Sequence, residues 1–247
     1  IVIDGRNAVG RQSVVTQDGT ITVDAGGTLT AVSVYSSATD NDANDISLTT
    51  TAGDIHVVTI TAGTANDVTL TAAGAITEDG QPATLVTANL LTATASGPIT
   101  LDTTITTADL ASTTAGAIDV DETDAIGLQS VVTNDGTITV DAGGTLTAVN
   151  VDSSATDNDA NDISLTTTAG DIAVVTITAG SANDVTLTAA GSITEDGTAA
   201  IEVTAELLTA TASGPLTVSY THPTLPTKRT MHISLVADSS KTTQHTT

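Results

Sequence analysis

The chain of 247 residues has no cysteine, tryptophan or phenylalanine, and only two tyrosines and one methionine. Without cysteine there is no disulfide framework, no thiol nucleophile and no Cys-type metal site. Aromatic rings bury the largest area per residue, so here Val, Ile, Leu and Ala must fill any core. Small aliphatic side chains suit a narrow interior filled the same way many times, which favours a stacked architecture over one globule. Long apolar runs are missing as well. No stretch reaches the roughly 18 residues that a membrane-spanning helix needs. The chain opens on Ile1-Val2-Ile3 with neither an initiator Met nor a signal-peptide pattern, so its start reads as an interior cut.

Basic residues are scarce: 5 stand against 29 acids, for a formal net charge of −24. Residues 1–218 hold 28 of the acids and only Arg6 and Arg11. Residues 219–247 hold Lys228, Arg229 and Lys241 against Asp238. A polyanionic body repels nucleic acid and anionic membranes, so neither is expected as a direct partner, whereas divalent cations would be attracted.

What is present is a repeat. Gln12–Leu101 aligns without gaps on Gln129–Val218 at a constant offset of 117, with 13 differences in 90 positions. The register extends upstream, where Ile1, Asp4, Ala8 and Gly10 match Ile118, Asp121, Ala125 and Gly127. The expected organisation is a repetitive body over 1–218, made of units 1–117 and 118–218 (partial), followed by a distinct tail over 219–247. Within each unit, short apolar–polar–apolar triplets recur: Ile21-Thr22-Val23, Ile46-Ser47-Leu48, Val68-Thr69-Leu70 and Ile99-Thr100-Leu101. Alternation with β-branched residues is the signature of a strand with one buried face. Turn signals such as Gln17-Asp18-Gly19 and Ala52-Gly53-Asp54 lie between them.

A spacing of about 20–25 residues fits one coil of a parallel β-helix, or β-solenoid, with coils stacked at about 4.8 Å. Residues 1–218 then give roughly ten coils and a rod about 45 Å long. The alternative fold is a string of tandem β-sandwich domains of about 100 residues each, and the lack of core aromatics weighs against it. The segment Asn66–Thr77, which returns as Asn183–Thr194, resembles the large repetitive surface adhesins of bacteria, of the filamentous-haemagglutinin kind. That resemblance implies a secreted or cell-surface rod that spaces or presents a binding region, with a surface or glycan receptor and neighbouring repeats as partners.

From Ser219 the repeat stops. Val218-Ser219-Tyr220-Thr221-His222 resembles translated sequencing-adapter sequence, as found at the ends of reading frames from environmental assemblies. Residues 219–247 are therefore read as a non-native or disordered tail, the alternative being a genuine terminal cap.

The duplication also tests for chemistry, because a residue with a unique role should survive in both copies. His56 becomes Ala173 and Tyr35 becomes Asp152. The many Ser and Thr then have no imidazole to activate them, and the chain is read as non-enzymatic. The densest acids, Asp119, Asp121, Glu122 and Asp124, are expected on a turn. Asp121 and Glu122 are the pair that a glycan-active β-helix enzyme would use. The segment Asp40-Asn41-Asp42-Ala43-Asn44-Asp45 returns as Asp157–Asp162. Hard oxygens crowded on a loop suit Ca²⁺, which makes Asp40, Asp42, Asp45, Asp157, Asp159 and Asp162 candidate ligands of a weak calcium site, in this fold or in a calcium-binding sandwich array. The competing account is an Asx-rich turn. No other cofactor is implied. Thr-x-Thr triplets such as Thr69-Leu70-Thr71 could form a flat hydroxyl array of the ice-binding kind if stacked, but their uneven spacing argues against a regular one.

Overall fold

A computed structural model of the chain describes residues 1–36, 43–78, 80, 85–156, 158, 160–195, 197, 202–222 and 231–235. Every strand pairing among them is parallel and no helix is present, so the chain is a β-solenoid of about nine turns. The tandem-sandwich alternative falls here, because sandwich strands pair antiparallel.

Each coil contributes strands to three faces of a prism. In the first unit the leading face carries Ile21–Ala25, Ile46–Thr50 and Val68–Ala72. A second face carries Ile55–Val57 and Ile76–Glu78, and a third carries Thr59–Thr61 and the start of Leu85–Ala95. The alternation read from the sequence appears as burial: in Ile21–Ala25, Ile21, Val23 and Ala25 are buried while Asp24 faces solvent. Period-2 side-chain direction makes this inevitable once one face of a strand meets the interior.

The core is a set of aliphatic ladders running along the axis. Leu29, Ile55, Ile76, Ile99, Ile118, Ile138, Ile163, Val185 and Leu208 stand one above the next, and none is more than 1% exposed. Each such burial contributes roughly 1.5–3 kcal/mol. Like shapes stacked on like shapes fill the interior without large rings. At one corner Gly53 adopts φ +93°, and a Cβ there would come within 2.9 Å of the Thr28 backbone nitrogen. The turn that closes the coil therefore requires glycine, and Gly170 repeats it at φ +91°.

Coil length is not constant. Along the leading face Thr22 pairs with Ser47, Ser47 with Thr69, Thr69 with Thr92, and Thr92 with Asp109. The corners absorb these unequal steps. The uneven sequence spacing of the Thr-x-Thr triplets therefore does not prevent alignment: Thr69 and Thr71 lie directly beneath Thr92 and Thr94. The other triplets lie elsewhere, Leu29-Thr30 on the second face and Thr59–Thr61 on the third, and Asp109 follows Thr92 in the ladder, so the array is not regular.

The two units sit differently in the rod. Val2 stands on the leading face beneath Thr22. Its equivalent in the second unit, Asp119, lies above Thr100, which lies above Thr77 and His56 on the second face. The leading strands of the second unit therefore stand over the second and third faces of the first, as Glu122 stands over Thr103, Val86 and Ile60. The long strand Ile99–Ser112 makes the change, because it runs across all three faces and pairs with Ile118–Glu122 at one end and Ile126–Thr133 at the other. Beyond the repeat, Tyr220–Thr221 pairs with Val203–Thr204 and Met231–Leu235 pairs with Leu208–Ala212. Residues 223–230 and 236–247 of the tail lie outside the described residues.

Candidate functional site: the acidic seam between units

Of the acids expected on a turn, Asp119, Asp121 and Glu122 are in a strand and Asp124 lies on the bend that follows it. Ile118–Glu122 lies on the second face with Ile118, Val120 and Glu122 buried and Asp119 and Asp121 exposed. Asp121 and Glu122 therefore point to opposite sides of one sheet and do not form the acid–base pair that glycan hydrolysis requires. The reason is the period of the strand, which sends adjacent side chains apart.

Glu122 occupies an inward position held by Gly5 in the first unit. It is 4% exposed, in a buried column between Thr103 below and Ala142 above. Its Oε2 accepts the Thr103 hydroxyl at 2.8 Å and the Ile105 backbone N–H at 3.0 Å, while Oε1 accepts the Asp124 N–H at 3.1 Å. These bonds meet a local need. At the junction between the units, residues 104–106 have no ladder partner above them, and the carboxylate takes up the Ile105 donor instead. Burial pushes the Glu122 carboxyl up to about 7, against the pull of the Thr103, Asp124 and Ile105 hydrogen bonds. A shallow recess of about 230 Å³ opens beside the seam, lined by Thr64, Ala88, Thr104, Ile105, Thr106, Asp124 and Ala125.

Outside the sheet, Asp102, Asp121 and Asp141 stand one above another in register. Partial burial, then the charges of Asp102, Asp119 and Asp141, raises the Asp121 carboxyl above its ordinary value. Asp119 is raised by burial, then by Asp141 and Asp102. The column is a strip of like charge with no basic residue in it, and among the described residues no group of three or more His, Cys, Asp or Glu is arranged to hold a metal.

Of the calcium candidates, Asp40, Asp42, Asp157 and Asp159 lie outside the described residues. Asp45 and Asp162 face solvent, and each accepts a backbone N–H from the next coil: Asp67 N–H to Asp45 Oδ1 at 3.0 Å, and Asp184 N–H to Asp162 Oδ1 at 2.8 Å. Asp54 and Asp171 do the same for Ala75 and Ser192, at 2.7 and 2.6 Å. Many of the acids are thus corner acceptors that link one coil to the next.

The sequence reading passed over the asparagines beside them. Asn44, Asn66, Asn161 and Asn183 are fully buried. Asn66 Oδ1 accepts the Asn44 N–H at 3.0 Å and its Nδ2 donates to the Ala62 carbonyl at 2.7 Å. Asn44 Oδ1 in turn accepts the Gly19 N–H. The signal was available: Asn-Asp recurs at 44–45, 66–67, 161–162 and 183–184.

One expectation about nucleophiles also changes. His56 Nδ1 lies 2.9 Å from Thr77 Oγ1, so an imidazole does meet a hydroxyl. Both belong to an exposed ladder, and the second unit has Ala173 below Thr194 at the same place. No protein-family model matches the chain, and no curated protein or solved structure is detectably similar to it.

Proposed function

We propose that the chain is a non-enzymatic stalk or adhesion segment of a large exported bacterial surface protein. The observation that carries this reading is the unbroken aliphatic ladder from Leu29 to Leu208, which passes from one unit into the next without a linker. A continuous core transmits load and holds length, as a spacer must. Stability in such a stack grows by nearest-neighbour contact between coils, so near-identical units can be added without redesign. The high negative charge keeps such a rod soluble and apart from its neighbours. Its partners in this reading are a surface or glycan receptor and the adjoining repeats.

Antibodies against the chain should label intact producing cells, and brief protease treatment of those cells should remove the label. Labelling that appears only after lysis would overturn the reading. Small-angle scattering of the purified chain should show a rod of constant cross-section, and a globular profile would count against a spacer.

A further inference from the structure

Two blocks of the sheet surface are in two-dimensional register, although the Thr-x-Thr triplets as a whole are not. On three successive coils of the first unit Ser47 and Thr49 lie beneath Thr69 and Thr71, which lie beneath Thr92 and Thr94. Three coils of the second unit repeat the block, with Ser164 and Thr166 beneath Thr186 and Thr188, and these beneath Thr209 and Thr211. We propose that each block is an ice-binding face: its hydroxyls take the place of water oxygens at the surface of an ice crystal and hold the chain there.

The spacing of the blocks and the state of their hydroxyls support this, and neither depends on the stalk reading. Rungs of a parallel stack stand about 4.8 Å apart and alternate residues of a strand about 6.7 Å apart, a rectangle close to the oxygen repeat on a prism face of ice. No register shift interrupts the pairings within either block, unlike those of Val9–Val15 and Ile99–Ser112. None of these side chains is buried. Among the described residues none of their hydroxyls bonds to protein, whereas those of Thr103 and Thr104 at the seam are taken by Glu122 and Thr123. Threonine is stiff at χ1. The free hydroxyls are therefore ordered before a partner arrives, and little freedom is lost on binding.

The partner follows from what the blocks lack. The chain carries 29 acids, yet no charged side chain interrupts either block. Charge returns only at the rim, with Asp24 below Thr49, Asp109 above Thr92 and Asp141 below Thr166. Small ligands bind in concave sites with apolar and aromatic walls, and the blocks are open strand surface with no tyrosine in them. A periodic, uncharged surface suits a periodic, uncharged partner, and a hydroxyl both donates and accepts as lattice water does. The two blocks belong to different ladders, since Thr92 leads up to Asp109 while Thr209 leads down to Thr100. Each acts alone, so the effect on ice is that of small separate faces: crystals are shaped, and growth halts over a narrow temperature gap.

Growth of single ice crystals in solutions of the full chain, watched by nanolitre osmometry, provides the test. The crystals should facet, and the freezing point should fall below the melting point by a gap that widens with concentration. Thr69→Tyr with Thr186→Tyr puts a ring in the middle of each block, at outward strand positions that Tyr suits. That double change should restore round crystals with no gap. Thr147→Tyr is an outward strand change outside both blocks and should leave the faceting intact. Round crystals without a gap in the parent chain, or faceting that survives the double change, would overturn the proposal. If the chain instead sediments with insoluble cellulose or chitin while ice stays round, the blocks hold glycan and the proposal fails. Labelling of producing cells, which tests the stalk reading, has no bearing on these outcomes.

Discussion

Asn66 accepts the backbone N–H of Asn44 through its side-chain oxygen at 3.0 Å, and Asn183 does the same for Asn161 at 2.9 Å. The pair appears once in each unit, on different coils, with the amide nitrogen donating to Ala62 in one and Ala179 in the other. A corner that must bury backbone polar groups satisfies them with a carboxamide, which both donates and accepts.

Replacing that carboxamide exposes its worth. Asn66→Ala removes the side chain that bonds the buried Asn44 N–H and the Ala62 carbonyl, at a cost of about 1–3 kcal/mol. Asn183→Ala should cost about the same. Denaturant titration of both variants should show similar losses, and a loss below about 0.5 kcal/mol would mean that the ladder is ornamental.

The pH dependence follows from Glu122. Its folded value lies near 7, above the 4.5 of an ordinary glutamate, so the folded chain holds a proton that the unfolded chain releases across that interval. Stability from this group is therefore fully present below pH 4.5 and is lost as pH rises through about 7, by up to about 3 kcal/mol. Asp119 and Asp121 are raised too and act with the same sign. Melting temperature should fall between pH 5 and pH 8, and Glu122→Gln should flatten much of that slope. A melting temperature that rises over this interval would refute the assignment.

The exposed column of Asp102, Asp121 and Asp141 stacks like charges at neighbouring rungs, which is unfavourable. Asp121→Asn should stabilise the chain by about 0.2–1 kcal/mol at low salt. The gain should shrink as salt screens the column. A gain independent of ionic strength would point to something other than charge.

Asp45 and Asp162 link coils through backbone N–H groups. Their replacement by Ala should lower the melting temperature to the same extent with chelator or with millimolar calcium. A calcium-dependent gain in the parent chain that is absent from Asp45→Ala would instead identify Asp45 as a ligand.

The acidic segment shows where sequence reading reaches its limit. Asp119, Asp121, Glu122 and Asp124 stand out as a cluster in the sequence, and acids in a row suggest a turn. The alternation of Asp119 and Asp121 with Ile118 and Val120 is the stronger signal and runs through the strand to Glu122, while Asp124 does lie on a bend. What the alternation could not convey is that Glu122 meets Thr103 and Ile105, which lie a coil away. The calcium candidates were visible as a crowd of oxygens, but their use as coil-to-coil acceptors depends on neighbours about 22 residues distant.

The sequence by itself determined the repeat, the strand triplets, the glycine corners and the parallel stacked fold. These rest on local physics: the backbone fixes a side-chain period of two, and only some residues can turn. The tertiary structure alone decided which strand lies over which, that the leading strands of the second unit stand over the second and third faces of the first, and that Glu122 and Glu202 are buried. Register between coils depends on the chain length spent around each circuit and on how every corner spends it. That is a sum over many residues, and no short stretch of sequence encodes it.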